Sequence, residues 1–417
     1  MNTQKREEII NRFALASFFL FFVSSQINFI FPGALELTYV LIFIFSVVVM
    51  SGGEIEKVWF KYIILFFVFF LLSLIVYFYG GRGDLPPRPL FVYSFLLVCL
   101  LFVGANLNRS ESLRGRAFDV VRFSLWFEVF IVFAQFSYLE WGVGLAPRAE
   151  NAEWSGSLTG SYGNPNNVSV MIVLTVLFLI IVGKIRFDIS GFGILLASGG
   201  AVLILLSRTA LIGYLTVLFY FFLKESDLVN FKLSGKVLRV FGLAIICGLL
   251  AVGVNIEGFE SNVIARSIAK FSTINALVED QSTEFRILSS VRLVENIGRL
   301  GFGTMSDLNY GKFFASYDSS LAKMNPHSFI VEISFLLGYV GLSIAIIFFC
   351  FLFYDIYSGS MSFVFSCYVI ALFLLFQFVP STVFRLPMFF YVMVLICIFG
   401  GDRAARQTSP SGGGRVQ

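Results

Sequence analysis

Long apolar runs, not any single motif, set the limits on what this chain can become. A hydrocarbon core about 30 Å thick is crossed by about 20 residues of helix, and run after run in this sequence reaches that length with few charges. Charged residues make up only 13% of the chain against about 25% in soluble domains. A conventional polar surface therefore cannot be assembled. The class that remains is an all-α integral membrane protein. The formal charge of +4 does not point to nucleic acid, because the basic residues are spread over loops. All five cysteines fall inside apolar runs, where they read as small hydrophobes and not as disulfides or metal ligands. The first run, Phe13 to Phe31, is long and has no small-residue cleavage site, so it reads as a retained span.

Twelve transmembrane helices are predicted: 13–32, 34–50, 60–79, 90–106, 118–140, 166–183, 189–206, 209–223, 240–256, 328–353, 362–380 and 387–400. With the N-terminus inside, the inner segments carry seventeen Lys and Arg and the short outer loops five. That asymmetry places both termini in the cytoplasm. Four regions follow: helices 1 to 9 over 1–256, a large outer loop over 257–326, helices 10 to 12 over 327–401, and a disordered cytoplasmic tail over 402–417. Connections as long as the outer loop are generally functional or disordered. Its stretches ARSIAKFSTINALVED and RILSSVRLVENIGRL space apolar residues as helices do.

The only histidine, His327, stands where this loop meets the next apolar run, and Glu332 follows inside that run. An imidazole beside a membrane-embedded acid suggests proton chemistry. Equally open is a plain helix start, with Pro326 setting the turn. Ser207–Arg208–Thr209 divides an apolar stretch too long for one span and puts Arg208 at an outer turn. There the guanidinium either snorkels to lipid headgroups or grips a phosphate ligand through its planar fork. Arg286 and Arg292 lie on an expected helix of the large loop, where a solvated surface charge is the ordinary reading. The loop 141–167 contains EWSGSLTGSYGNPNN, whose amides and hydroxyls suit either a carbohydrate or simple turns. Asn164, Asn166 and Arg148 are its candidate glycan contacts. No HExxH, CxxC pair or acidic triad suggests a metal, and Gly298, Gly301 and Gly303 lack the strand context of a nucleotide-binding turn.

Four stretches resemble the O-antigen polymerase and ligase group of bacterial envelope glycosyltransferases. SRTALIGYL (207–215) is similar to its Ser-Arg-Ser/Thr element, and TEFRILSSVRLVENIGRLGFGTM (283–305) to its Arg-bearing loop helix. PHSFIVEISFLLGYVGL (326–342) resembles its His-Asn-x-x-Leu-Glu…Gly-x-x-Gly element, with Ser328 where ligases commonly have Asn. YGNPNNVSV (162–170) resembles its Gly-Asn-Pro-Asn turn. The resemblance implies a GT-C-like helical fold with one large periplasmic loop lidding a cavity in the inner membrane. It also implies a metal-independent glycosyl transfer, without cofactor, from an undecaprenyl-diphosphate-linked oligosaccharide. His327 would be the general base, with Glu332 favouring its protonated form, while Arg208, Arg286 and Arg292 would hold the diphosphate. The acceptor would be a second lipid-linked repeat unit for a polymerase or lipid A–core for a ligase, and a chain-length regulator is an implied partner. A transporter or flippase would use the same charged residues as a substrate path, but would set them nearer the midplane.

Overall fold

The computed structural model describes residues 3–51, 57–79, 88–148, 157–205, 207–225, a few positions between 288 and 298, 328–358, 363–376 and 387–408. Every regular element among them is helical. The helices are α1 (Thr3–Ile30), α2 (Ala34–Met50), α3 (Lys57–Tyr79), α4 (Arg88–Asn108), α5 (Glu111–Trp141), α6 (Pro165–Ile181), α7 (Ile189–Ile204), α8 (Arg208–Glu225), α9 (Phe329–Ser358), α10 (Phe363–Phe376) and α11 (Pro387–Thr408). Three stretches, Gln4–Ile30, Lys57–Ile75 and Leu337–Tyr357, are long and apolar enough to cross a bilayer, and six shorter apolar helices accompany them. The expected span 240–256 lies outside the described residues, as does nearly all of the loop 257–326. Scattered residues of that loop, among them Val291 and Leu293, are helical.

The surface of α3 shows what solvent the chain is built for. Phe60, Ile64, Phe67, Leu71 and Ile75 recur at helical spacing and are 41–53% exposed. Trp59, Tyr62, Ile63, Phe66 and Phe69 on the opposite side are buried. A soluble helix would put charge on the exposed face. Here that face is as greasy as the core, which suits lipid.

The chain divides into two compact units: residues 1–125 with 281–417, and residues 126–280. In the first unit α1 and α2 form a hairpin around Gly33, whose φ of 89° favours glycine. Ser17 on α1 meets Ser46 on α2 at 3.1 Å, a small-residue and hydroxyl contact typical of packing without a hydrophobic drive. Tyr391 on α11 inserts between Phe18, Phe21 and Phe22 of α1 and donates to the Leu100 carbonyl of α4 at 3.0 Å. Gly104 on α4 makes this approach possible, since a Cβ there would lie 2.6 Å from the Trp59 ring and 2.8 Å from the Tyr391 hydroxyl.

In the second unit α6 is the axis. Fifteen of its positions are apolar or small, and it is buried along almost its whole length, as expected of a helix that is hydrophobic all round. Asn164 caps it by accepting from the Asn166 amide at 2.9 Å, with Pro165 in the first turn. Helices α7 and α8 pack on it. Asp188 caps α7 by accepting from Gly191 N at 2.6 Å, and Gly199 leaves room for the ring of Tyr214 from α8.

Candidate functional site

The element carrying His327 and Glu332 is built by three local devices. Ser328 is buried and accepts at its Oγ from Val331 N at 3.5 Å, while its carbonyl accepts from Glu332 N at 2.8 Å. It is therefore the N-cap of α9. Ser at this position, where the resembling ligase pattern has Asn, is a residue type that caps as well as Asn does. The helix does not run straight through: Gly338 has φ 62° and ψ −144°, a region open essentially to glycine alone. Three residues on, Gly341 sits against the backbone of Ile333, whose carbonyl carbon would be 2.8 Å from an added Cβ. The Gly-x-x-Gly spacing seen in the sequence thus makes a break and then a close backbone crossing. Glu332 lies on the short segment 329–337 ahead of that break, 9% exposed. His327 directly precedes the cap but is outside the described residues, as are Arg286 and Arg292.

Arg208 opens α8, and the Ser207 carbonyl before it accepts from Leu211 N at 2.9 Å. It belongs to the second unit and Glu332 to the first. The side chain of Arg208 is among the undescribed parts.

Among the described residues, the two stems of the connection from α5 to α6 carry a buried polar cluster. Glu128 and Gln135 lie two turns apart on one face of α5 and are 3% and 0% exposed. Glu128 Oε1 accepts from Ser161 N at 2.8 Å, and its Oε2 accepts from the Ser161 hydroxyl. Gln135 Oε1 accepts from Thr159 N at 3.0 Å and Gly160 N at 2.8 Å, while its Nε2 donates to the Gly160 carbonyl at 3.0 Å. Gly160 has φ 55°, and a Cβ there would stand 2.5 Å from Glu128 Oε1. The other stem of the loop is held as well. Leu145 N donates to the Ala134 carbonyl at 3.2 Å, and the Thr159 hydroxyl donates to the Arg148 carbonyl at 3.3 Å. Of the candidate glycan contacts, Arg148 is exposed, Asn166 is half-buried, and Asn164 is 2% exposed with its side-chain oxygen engaged in capping α6.

A third cluster went unseen in the sequence. Lys61 of α3 forms an ion pair with Asp355 of α9, which also accepts from the Tyr62 hydroxyl at 2.7 Å. The ammonium lies 5.2–5.5 Å from the ring centres of Tyr62, Phe351 and Tyr354, within cation–π range. Lys61 and Asp355 lie 294 residues apart, and no local pattern gave a sign of their pairing. The signal for Glu128 and Gln135 was available: two polar residues seven apart in the most apolar part of the expected span 118–140. Among the described residues no group of three or more His, Cys, Asp or Glu could hold a metal ion. No family model, curated protein or solved structure matches this chain.

Proposed function

We propose that this chain is a polymerase of a bacterial surface polysaccharide: a twelve-span inner-membrane glycosyltransferase acting at the periplasmic face. It joins glycan repeat units carried on undecaprenyl diphosphate. One observation carries the reading. Five residues after the only histidine, a carboxylate is buried on a capped helical segment that stops at a left-handed glycine. Discontinuous helices in membrane proteins accompany substrate sites, because they bring backbone dipoles and polar side chains to membrane depth.

In this reading His327 accepts the proton of the acceptor hydroxyl, and Glu332 stabilises the imidazolium that forms. The hydroxyl oxygen then bonds to the anomeric carbon of the donor sugar as the bond to the lipid diphosphate breaks. Arg286 and Arg292 receive the departing charge on the diphosphate. The leaving group is already activated, so the chemistry asks for positioning and charge stabilisation above all.

The test is genetic and biochemical. A null strain of a polymerase makes lipopolysaccharide capped with a single repeat unit, whereas a ligase null leaves bare core and accumulates lipid-linked polymer. Chains of normal length on core in the null strain would exclude both enzymes. His327→Ala should abolish polymer formation in a protein that still inserts and unfolds like wild type; retained activity removes His327 from the mechanism.

A further inference from the structure

We propose that Glu128 and Gln135 are positioning residues that hold the two stems of the α5–α6 loop, 142–148 and 157–164, as one face for the acceptor glycan. The inference rests on the polymerase reading and goes beyond it, because neither residue touches the reacting atoms. The ligand class is a polyhydroxylated oligosaccharide, met by the exposed Arg148 and the half-buried Asn166.

The connection from Trp141 to Pro165 far exceeds the 2–8 residues that join helices in bundles. Length alone is tolerated, and loops usually satisfy their amides with their own turns or with water. This loop instead takes two acceptors from buried positions of α5. Three consecutive amides, of Thr159, Gly160 and Ser161, point at Gln135 and Glu128. A carboxylate removed from water is tolerated only when it is well paired, and Glu128 finds that pairing in the loop backbone and the Ser161 hydroxyl. Such an arrangement fixes residues 159–161 in one conformation. The Thr159 hydroxyl passes the constraint to the other stem through the Arg148 carbonyl. The same geometry makes Gly160 obligatory, since its φ of 55° and the space beside Glu128 both exclude a side chain. A merely connecting loop has no use for this precision; a surface that must present a guanidinium and an amide at fixed separation does.

The test uses the full-length protein in nanodiscs. Lipid-diphosphate-linked repeat units from the producing cell serve as donor, and the soluble oligosaccharide released from that pool serves as acceptor. Glu128→Ala and Gln135→Ala should raise the acceptor KM by roughly tenfold or more, the scale of a lost charge-assisted or double hydrogen bond, with kcat and donor KM unchanged. Glu128→Gln keeps an acceptor for Ser161 N and should restore most of the affinity. Should Glu128→Ala fail to fold, Ser161→Ala, which deletes one donor only, should still raise acceptor KM severalfold. A folded Glu128→Ala with wild-type acceptor KM, or with a loss confined to kcat, overturns the positioning role. A wild-type protein that extends no acceptor overturns the polymerase reading itself, so the two failures are distinguishable.

Discussion

The ion pair between Lys61 and Asp355 can be taken apart by a double-mutant cycle whose outcome the geometry sets in advance. Asp355 is 8% and Lys61 22% exposed at the side chain, and the carboxylate also holds the buried Tyr62 hydroxyl. Asp355→Leu leaves an ammonium over three rings and a phenol without its acceptor. Removing one member of a buried pair costs about 3–5 kcal/mol. Lys61 retains a path to water along its flexible stem, so the lower end, about 3 kcal/mol, is expected for this change. Lys61→Met strands the more deeply buried partner and should cost about 4 kcal/mol. In the double variant K61M/D355L only the Tyr62 hydroxyl is left unsatisfied, a penalty of about 1–2 kcal/mol. The double variant should therefore be more stable than either single one, with a coupling of several kcal/mol against the ~0.5 kcal/mol tolerance of independent sites. Adding Tyr62→Phe should recover most of the remainder. The assay is detergent-driven unfolding in mixed micelles followed by tryptophan fluorescence on all five proteins. Simple addition of the two single losses would refute the pairing and the energetic reasoning together.

Three further changes probe other features. Gly338→Ala forces a side chain into φ 62°, ψ −144° and should cost about 1–3 kcal/mol; transfer activity should fall as the segment bearing Glu332 shifts, and wild-type stability would show that α9 is not broken there. Ser198→Ala removes a buried hydroxyl that has no hydrogen-bond partner among the described residues; it should be neutral or stabilising by up to about 1 kcal/mol in the same unfolding assay, and a clear destabilisation would reveal a partner. If Arg208 grips phosphate as the resemblance implies, Arg208→Lys, which keeps the charge and loses the fork, should lower polymer formation by an order of magnitude or more; unchanged activity would mean that the arginine only snorkels to lipid.

Helix positions were largely legible because the membrane asks one simple thing of sequence, an apolar run. The expected 34–50 and 189–206 meet α2 and α7 closely. The ends were not legible, because hydropathy marks where lipid lies and not where hydrogen bonding stops. Thus α1 starts at Thr3, ten residues before the expected span, through a polar turn that includes the Glu8–Arg12 pair at 2.5 Å. Likewise α11 runs past Gly400 to Thr408, into the stretch expected as tail. The break in α9 was invisible, since GYVG inside an apolar run reads as close helix packing or as a kink with equal ease. The Lys61–Asp355 pair was hidden for a different reason: contacts between α3 and α9 depend on which helices become neighbours, and no local pattern encodes that.

The buried carboxylates can be sorted by what the fold asks of each. Glu128 serves loop amides, and Asp355 serves a lysine and a tyrosine on another helix. Each thereby accounts for its own burial. Around Glu332 the local geometry of the segment is set by other residues: Ser328 caps it, Gly338 ends it, and Gly341 makes its crossing. The helix dipole does favour an acid in the first turn, but only by about 0.3–1 kcal/mol, well short of the several kcal/mol that removing a carboxylate from water costs. Shaping the helix therefore does not explain a glutamate 9% exposed at this position. In the proposed polymerase reading that acid serves the imidazolium of the sole histidine, which makes the start of α9 the place to test for the reaction.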